Sequence, residues 1–411
     1  MKFNLIITGI ILLVFLSCGK DDVPAKETSP TEAAVSWPQK TPRLKVEGRF
    51  LKDPCGNKVI LHGVAITPSP WFNGGAVGEW RWNNYDVAGC LQYNNAIMDK
   101  LSDAKQGWYL NYVRLHIDPY WTNNLGVSGI SENDISQFNF DRFKQAVDKV
   151  ILPLIAHAKT RGMYVILRPP GVCPEQIAVG GAYQDYLKLV WDYVSKHPSL
   201  KNAENVMFEL ANEPIKIKLT DGSVGANTQA HFDQLKLFFQ PIVNMIRTNG
   251  ANNILWIPGS GWQSQYKGYA VNPIEGTNIG YAVHIYPGYW GRDNNDPMVF
   301  RANWNENIKP VENFAPIAVT EIDWAPEQYA VWGKGGVTGK AGQRGFGANF
   351  KVLVDESGNV SWNLLSPENL IDKGSLNGGI AYNSDPEACA FPVHNWFKEY
   401  AKSLAICNSG K

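Results

Sequence analysis

Eight times between Ile60 and Leu365 the chain passes through a short, nearly unbroken apolar run, and several of the intervals carry the 3.6-residue pattern of an amphipathic helix. The runs are Ile60–Ile66, Asn111–Ile117, Met163–Arg168, the one leading from Asn205 into Asn212, Ile254–Ile257, Ile279–Tyr286, Pro316–Glu321 and Val360–Leu365. The clearest helix spans Asp141–Arg161, with Phe143, Val147, Val150, Ile151, Leu154 and Ile155 on one stripe and Gly162 as its stop. Two more follow, Tyr183–Lys196 before Pro198 and Thr228–Thr248 before Gly250, and Phe391–Leu404 reads as a closing helix. Buried strands alternating with helices predict an α/β protein with a parallel sheet, and eight of them predict a (β/α)8 TIM barrel. Ahead of it, Arg49–Leu51 and Lys58–Leu61 flank a polar, Gly-containing turn and predict an N-terminal β-hairpin. The chain around Ser357–Asn359 reads as a turn into the last strand, with a hairpin across Gly358 as the alternative.

In such a barrel the reacting groups gather at the C-terminal ends of the strands. The fourth run ends Asn212-Glu213-Pro214 and the seventh ends Thr320-Glu321. Two glutamates at two strand exits suit glycoside hydrolysis, in which one carboxyl protonates the leaving oxygen and the other attacks the anomeric carbon. Repulsion across about 5 Å favours a proton on one of the pair, and Glu213 is expected to hold it. Pro214 predicts an extended backbone at Glu213. The second run carries Arg114, a cation that needs a carboxylate partner if buried. The sixth ends His284-Ile285-Tyr286, which period-two alternation places on one face.

Asn-Glu-Pro, His-x-Tyr and Thr-Glu in this order, each closing a strand, together with Arg114, resemble glycoside hydrolase family 5, in the clan with its acid/base after strand four and its nucleophile ending strand seven. The likeness covers roughly residues 44–404 and implies Glu213 as acid/base and Glu321 as nucleophile of a retaining, cellulase-like enzyme. It further implies that Arg114 and Tyr286 hold Glu321 ionised, that His284 contacts the acid/base region, and that Asn212 binds the sugar 2-hydroxyl. The expected activity is endo-β-1,4-glucanase, with β-mannanase or another β-glycanase as the alternative within the family. A catalytically impaired glycan-binding surface protein is the alternative of another class. Two positions depart from the family: Arg168-Pro169-Pro170-Gly171 stands where a histidine is usual, and Leu365 where a tryptophan is usual, with Trp362 three residues earlier. Fifteen tryptophans supply candidate sugar platforms, of which Trp71, Trp121, Trp262, Trp290 and Trp324 fall in strand-exit loops, and His116 is a candidate sugar contact beside them. His116 and Asp118 have no further His or Cys at ligand spacing, so neither metal nor cofactor is expected.

Lys plus Arg and Asp plus Glu are 38 each, which gives no field for nucleic acid and suits a neutral, β-linked polysaccharide. Residues 1–17 read as a signal peptide whose apolar core, Leu5–Leu16, is too short to span a bilayer. Ser17-Cys18-Gly19 resembles a lipoprotein cleavage site, which predicts a lipid on Cys18. Asp21-Asp22 behind it predicts display on the outer membrane surface of a Gram-negative bacterium. Residues 18–43 are rich in Pro, Thr, Glu, Ala and Ser and read as a tether, leaving 44–407 as a catalytic unit expected to act as a monomer. Cys55, Cys90, Cys173, Cys389 and Cys407 remain for disulfides, and their pairing cannot be deduced from the sequence.

Overall fold

The computed structural model describes residues 40–70, 85–124, 134–286, 289–291, 294–322, 328–331, 334–337, 346–365, 367, 370–372, 380–382, 396 and 407. Its centre is a closed, wholly parallel barrel of β1 (His62–Ile66), β2 (Tyr112–Leu115), β3 (Tyr164–Leu167), β4 (Val206–Glu209), β5 (Leu255–Pro258), β6 (Ile279–Ile285), β7 (Ile317–Ile322) and β8 (Val360–Leu364). Neighbours in sequence are neighbours in space, and β8 closes on β1 from Trp362 opposite His62 to Leu364 opposite Val64. Val360–Leu364 is therefore a barrel strand and not one arm of a hairpin across Gly358.

Helices α1 (Val87–Leu101), α2 (Phe140–Ala146, a π turn at Val147–Ile151, then Leu152–Thr160), α3 (Ala182–Lys196), α4 (Gln229–Thr248), α5 (Pro297–Asn307) and α6 (Phe346–Ser357) cover the outside. The apolar stripe of α2 is buried at every position from Phe143 to Ile155 named above. The interval from β5 to β6 breaks the alternation. It holds only short turns at Ser260–Gln263 and Lys267–Ala270, after which the chain runs back along α4, where Asn272 accepts from Lys236 and the Glu275 N–H donates to Gln240.

Outward-facing strand residues such as Val113, Leu115, Val165, Leu167 and Phe208 pack under the helices. Inward-facing Tyr112, Tyr164, Ile166, Met207, Trp256, Ala282 and Ala318 form a second core with Leu44, Leu51, Val59 and Leu61. Those last four come from the chain ahead of β1, so the barrel floor is plugged by its own N-terminal segment. Instead of the expected two-armed hairpin, that segment is a three-stranded antiparallel sheet of Lys45–Glu47, Phe50–Lys52 and Lys58–Val59. Packing also starts before Leu44: Thr41 is buried, and the Tyr164 hydroxyl donates to the Pro42 carbonyl at 2.7 Å. Within the barrel, Gly63 allows β1 to approach β2, since a Cβ there would lie 1.9 Å from the Tyr112 carbonyl oxygen.

Cys55 and Cys407 form a disulfide that joins the floor sheet to the far end of the chain, while Cys90 and Cys173 are buried thiols. Cys18, Cys389 and the proposed closing helix, apart from Trp396, lie outside the described residues. A cross-link spanning 352 residues removes much conformational freedom from the unfolded chain. Cys407→Ser should lower unfolding free energy by about 2–5 kcal/mol in a urea titration, with the same shift when the wild type is reduced.

Candidate active site

A cation inside the barrel must have its donors met, and Arg114, at the third position of β2, has no solvent exposure. Its five N–H groups all find acceptors. Nε donates to Glu209 Oε2 at 2.6 Å, and Nη2 reaches Glu209 Oε1 at 3.1 Å and Asn212 Oδ1 at 2.6 Å. Nη1 serves Glu321 Oε1 at 2.7 Å and His116 Nε2 at 2.9 Å. Burial alone pushes Arg114 down, but Glu209 and then Glu321 more than reverse it and hold it charged.

The three carboxylates around this cation differ in access. Glu209 is fully buried and also accepts from Gln263 Nε2 and Thr320 Oγ1, both at 2.9 Å. It cannot reach a substrate. Glu321 keeps 10% of its side chain exposed and accepts the Tyr286 hydroxyl at 2.7 Å; Glu213 keeps 18% exposed and meets His284 Nδ1 at 2.9 Å. His284 Nδ1 also lies 3.4 Å from Glu321. One atom from each of Glu213, His284 and Glu321 can be chosen so that all lie within 4.8 Å of one another. Two carboxylates and an imidazole are a possible metal set, but here they already engage one another, Tyr286 and the Arg114 cation.

Burial pushes Glu321 up, yet His284, Arg114 and the Tyr286 hydroxyl outweigh it and keep its pKa below the ordinary glutamate value. For Glu209, too, burial raises and Arg114 with His284 lower, and the pairing wins. Burial lowers His284, but the attraction of Glu321 and hydrogen bonds to Glu209 and Glu213 turn the net shift upward. His116 is held well below its usual value by burial, then by Arg168 and Arg114. Neutral His116 must accept from Arg114 at Nε2, so its proton sits on Nδ1 and is donated to Thr67 Oγ1 at 2.9 Å.

Local backbone irregularities aim these groups. Regular alternation would send Thr320 and Glu321 to opposite faces of β7. The register between β6 and β7 jumps from Val283 opposite Val319 to His284 opposite Glu321, and this bulge turns both residues inward, Thr320 to Glu209 and Glu321 to the cleft. Glu213 does not take the extended backbone that Pro214 predicts. Its φ is +58°, and its N–H donates to Gln263 Oε1 at 2.6 Å. Pre-proline sterics bar the right-handed helical region, and a left-handed φ at a cost of about 1–3 kcal/mol is held by that bond.

A model of the cellulase family, glycosyl hydrolase family 5, matches residues 74–326. The chain belongs to this family. Among relatives, an endoglucanase of Bacillus sp. (strain KSM-635) is 30% identical over 229 residues, which are 53% of this chain and 22% of that protein. The chain thus spans about a fifth of that relative's length. Cellulase CelDZ1 of Thermoanaerobacterium sp. is 25% identical over 340 residues, 80% of this chain and 71% of that protein. Among solved structures, a β-glucanase of Saccharophagus degradans in complex with cellotetraose superposes with a TM-score of 0.60 at 18% identity, covering 92% of this chain and 97% of that one. The catalytic domain of a Thermobifida fusca endoglucanase gives 0.55 at 18% identity, covering 88% and 97%.

Several expected contacts of this family 5 chain fall elsewhere. Trp121 is no sugar platform: it is fully buried, edge-on to Tyr85, and its indole N–H donates to the Pro68 carbonyl at 2.5 Å. His116 has both ring nitrogens committed to Arg114 and Thr67 and is a support for the arginine rather than a sugar contact. Trp362 is core, stacked on Trp396 at 4.6 Å, and Leu365 packs against Tyr286 and Tyr289 at the strand exit. Arg168 folds back on its own loop, donating to the carbonyls of Pro169 and Gly171. Trp262 is 47% exposed beside the loop that carries Glu213, and Trp290, partly buried, donates to the Ser264 carbonyl at 3.0 Å. Trp71 and Trp324 lie outside the described residues.

Sequence reasoning gave Arg114 one partner and missed the second, Glu209. The signal was present: Glu209 follows Val206-Met207-Phe208 and shares the inward face with Met207. Removing Arg114 leaves two carboxylates buried without their cation, so Arg114→Met should cost about 3–5 kcal/mol at pH 7. Glu209 and Glu321 are held below their unfolded values near 4.3, so their stabilisation is present above that pH and is lost as pH falls through the depressed folded values. Without Arg114 the sign reverses for the same groups, and urea titrations at pH 7 and pH 4 should show the gap between variant and wild type narrowing with acid.

Proposed function

We propose that the chain is a retaining endo-β-1,4-glucanase, with Glu213 as acid/base and Glu321 as nucleophile. The observation that carries this reading is the spacing of the two cleft-facing carboxyls, with an oxygen of each inside 4.8 Å of the other. Retaining sites place the carboxyls about 5–5.5 Å apart, whereas inverting sites need about 6.5–9.5 Å to seat a water. In the first step a Glu321 oxygen bonds to the anomeric carbon, the bond from that carbon to the bridging oxygen breaks, and Glu213 gives that oxygen its proton. In the second, Glu213 takes a proton from water, whose oxygen displaces Glu321. Arg114 and Tyr286 keep the attacking carboxylate ionised, and the Arg114 bond to Asn212 Oδ1 turns the amide nitrogen of Asn212 toward the sugar 2-hydroxyl. Balanced charge favours a neutral glycan. The endoglucanase and cellulase names of the relatives and the cellotetraose of the Saccharophagus structure support β-1,4-glucan as its class. The exposed face of Trp262 offers such a chain an aromatic surface.

Glu213→Ala should lower turnover of cellulose by about 10²- to 10⁴-fold yet keep a burst of dinitrophenolate from dinitrophenyl β-cellobioside, whose leaving group needs no proton. Glu321→Ala should abolish both, and wild-type turnover in that variant ends the assignment. Among β-glucan, β-mannan, xyloglucan and xylan, reducing ends should be released fastest from β-1,4-glucan, with the β-anomer first in the proton NMR spectrum.

We further propose that the protein acts as a monomer held at the outer surface of a Gram-negative cell by a lipid on Cys18. Support comes from the Ser17-Cys18-Gly19 junction and the Pro-rich segment behind it. Radiolabelled palmitate should enter the wild type and not Cys18→Ser, and label in both would refute the anchor.

A further inference from the structure

We propose that Gln263 is a positioning residue for the acid/base, an inference that rests on Glu213 having that role. Gln263 lies in the β5–β6 interval, fully buried at the tip of a turn in which Gly261, Trp262 and Gln263 all take left-handed φ, at 57°, 57° and 58°. Three such residues in a row, two of them not glycine, persist only where the surroundings hold them.

What holds them is the chain carrying Glu213. The Gly261 N–H donates to the Ile215 carbonyl at 3.0 Å, the Trp262 N–H to the Pro214 carbonyl at 3.1 Å, and Gln263 Oε1 accepts the Glu213 N–H at 2.6 Å. Three successive residues of one loop thus clasp three successive residues of the other. The amide nitrogen of Gln263 then donates inward, to Glu209 Oε1 at 2.9 Å and the Ala282 carbonyl at 3.2 Å. Glu209 is the bidentate partner of Arg114, which holds Glu321. One side chain therefore ties the backbone of the acid/base to the carboxylate–arginine pair that fixes the nucleophile.

An uncharged amide meets both demands at once, with an acceptor toward the Glu213 N–H and a donor toward the Glu209 carboxylate. Leucine meets neither. A carboxyl meets both while protonated, and when ionised places a negative charge against Glu209. The same turn leaves Trp262 exposed next to the acid, so the clasp also sets where that ring stands relative to the leaving sugar.

The test compares substrates that need a proton on the leaving group with one that does not. In Gln263→Leu, kcat/KM for cellopentaose should fall about 10²-fold, the cost of about 1 Å of misplacement, while the rate of the dinitrophenolate burst from dinitrophenyl β-cellobioside falls less than about tenfold. Equal losses on the two substrates, or no loss, overturn the proposal while wild-type activity leaves the assignment of Glu213 standing. Should Gln263→Leu not fold, Gln263→Glu decides. It should be active at acid pH and lose activity at lower pH than the wild type, and a wild-type pH profile overturns the proposal. Wild-type protein inactive on both substrates removes the parent assignment and this one with it.

Discussion

One guanidinium organises the mouth of the barrel. Arg114 has five N–H groups and the fold supplies five acceptors, drawn from His116 just after β2, from β4 with the loop behind it, and from β7. In a dry interior such an arrangement is close to all or nothing, because any donor left open carries its full desolvation cost. The geometry of the site follows from that completeness. Glu209 is spent on the arginine, Glu321 is held ionised with one edge toward solvent, and the carbonyl end of Asn212 is pinned. The cleft is thus defined as much by the glutamate that cannot leave as by the two that face it.

The barrel supplies the frame, and departures from regularity supply the aim. The bulge in β7 lets two consecutive residues point inward, one to the structural carboxylate and one to the cleft. The left-handed backbone at Glu213 lifts its side chain to His284, and the turn after β5 holds it there. These are places where local preference gives way to tertiary contacts, and they cluster at the strand exits, where chemistry asks for what ideal strands cannot give.

That pattern explains what could be read from the sequence. Strand and helix periodicity is a property of consecutive residues, so the eight strands, the long helices and the strand-exit glutamates were legible in it. Arg114 stood out as a charge in an apolar run, and a charge on the inward face of β2 had to find an anion. Its second anion was legible by the same argument and was missed, because Glu209 stood close to the more conspicuous Asn212-Glu213-Pro214. Gln263 was not legible at all. A glutamine in a loop has no periodicity to betray it, and its function depends on a backbone amide 50 positions away. Trp121 misled for a related reason: loop position suggested exposure, but only the fold shows Tyr85 and the Pro68 carbonyl closing over the ring.

The segment ahead of β1 enters the barrel from beneath, where the Pro42 carbonyl accepts the Tyr164 hydroxyl and Leu44 joins the floor core. Floor and mouth are opposite ends of one cylinder. Residues 40–44 are thus packed at the end away from the carboxylates, and a polymer far wider than the barrel can lie across the open rim without meeting the floor sheet.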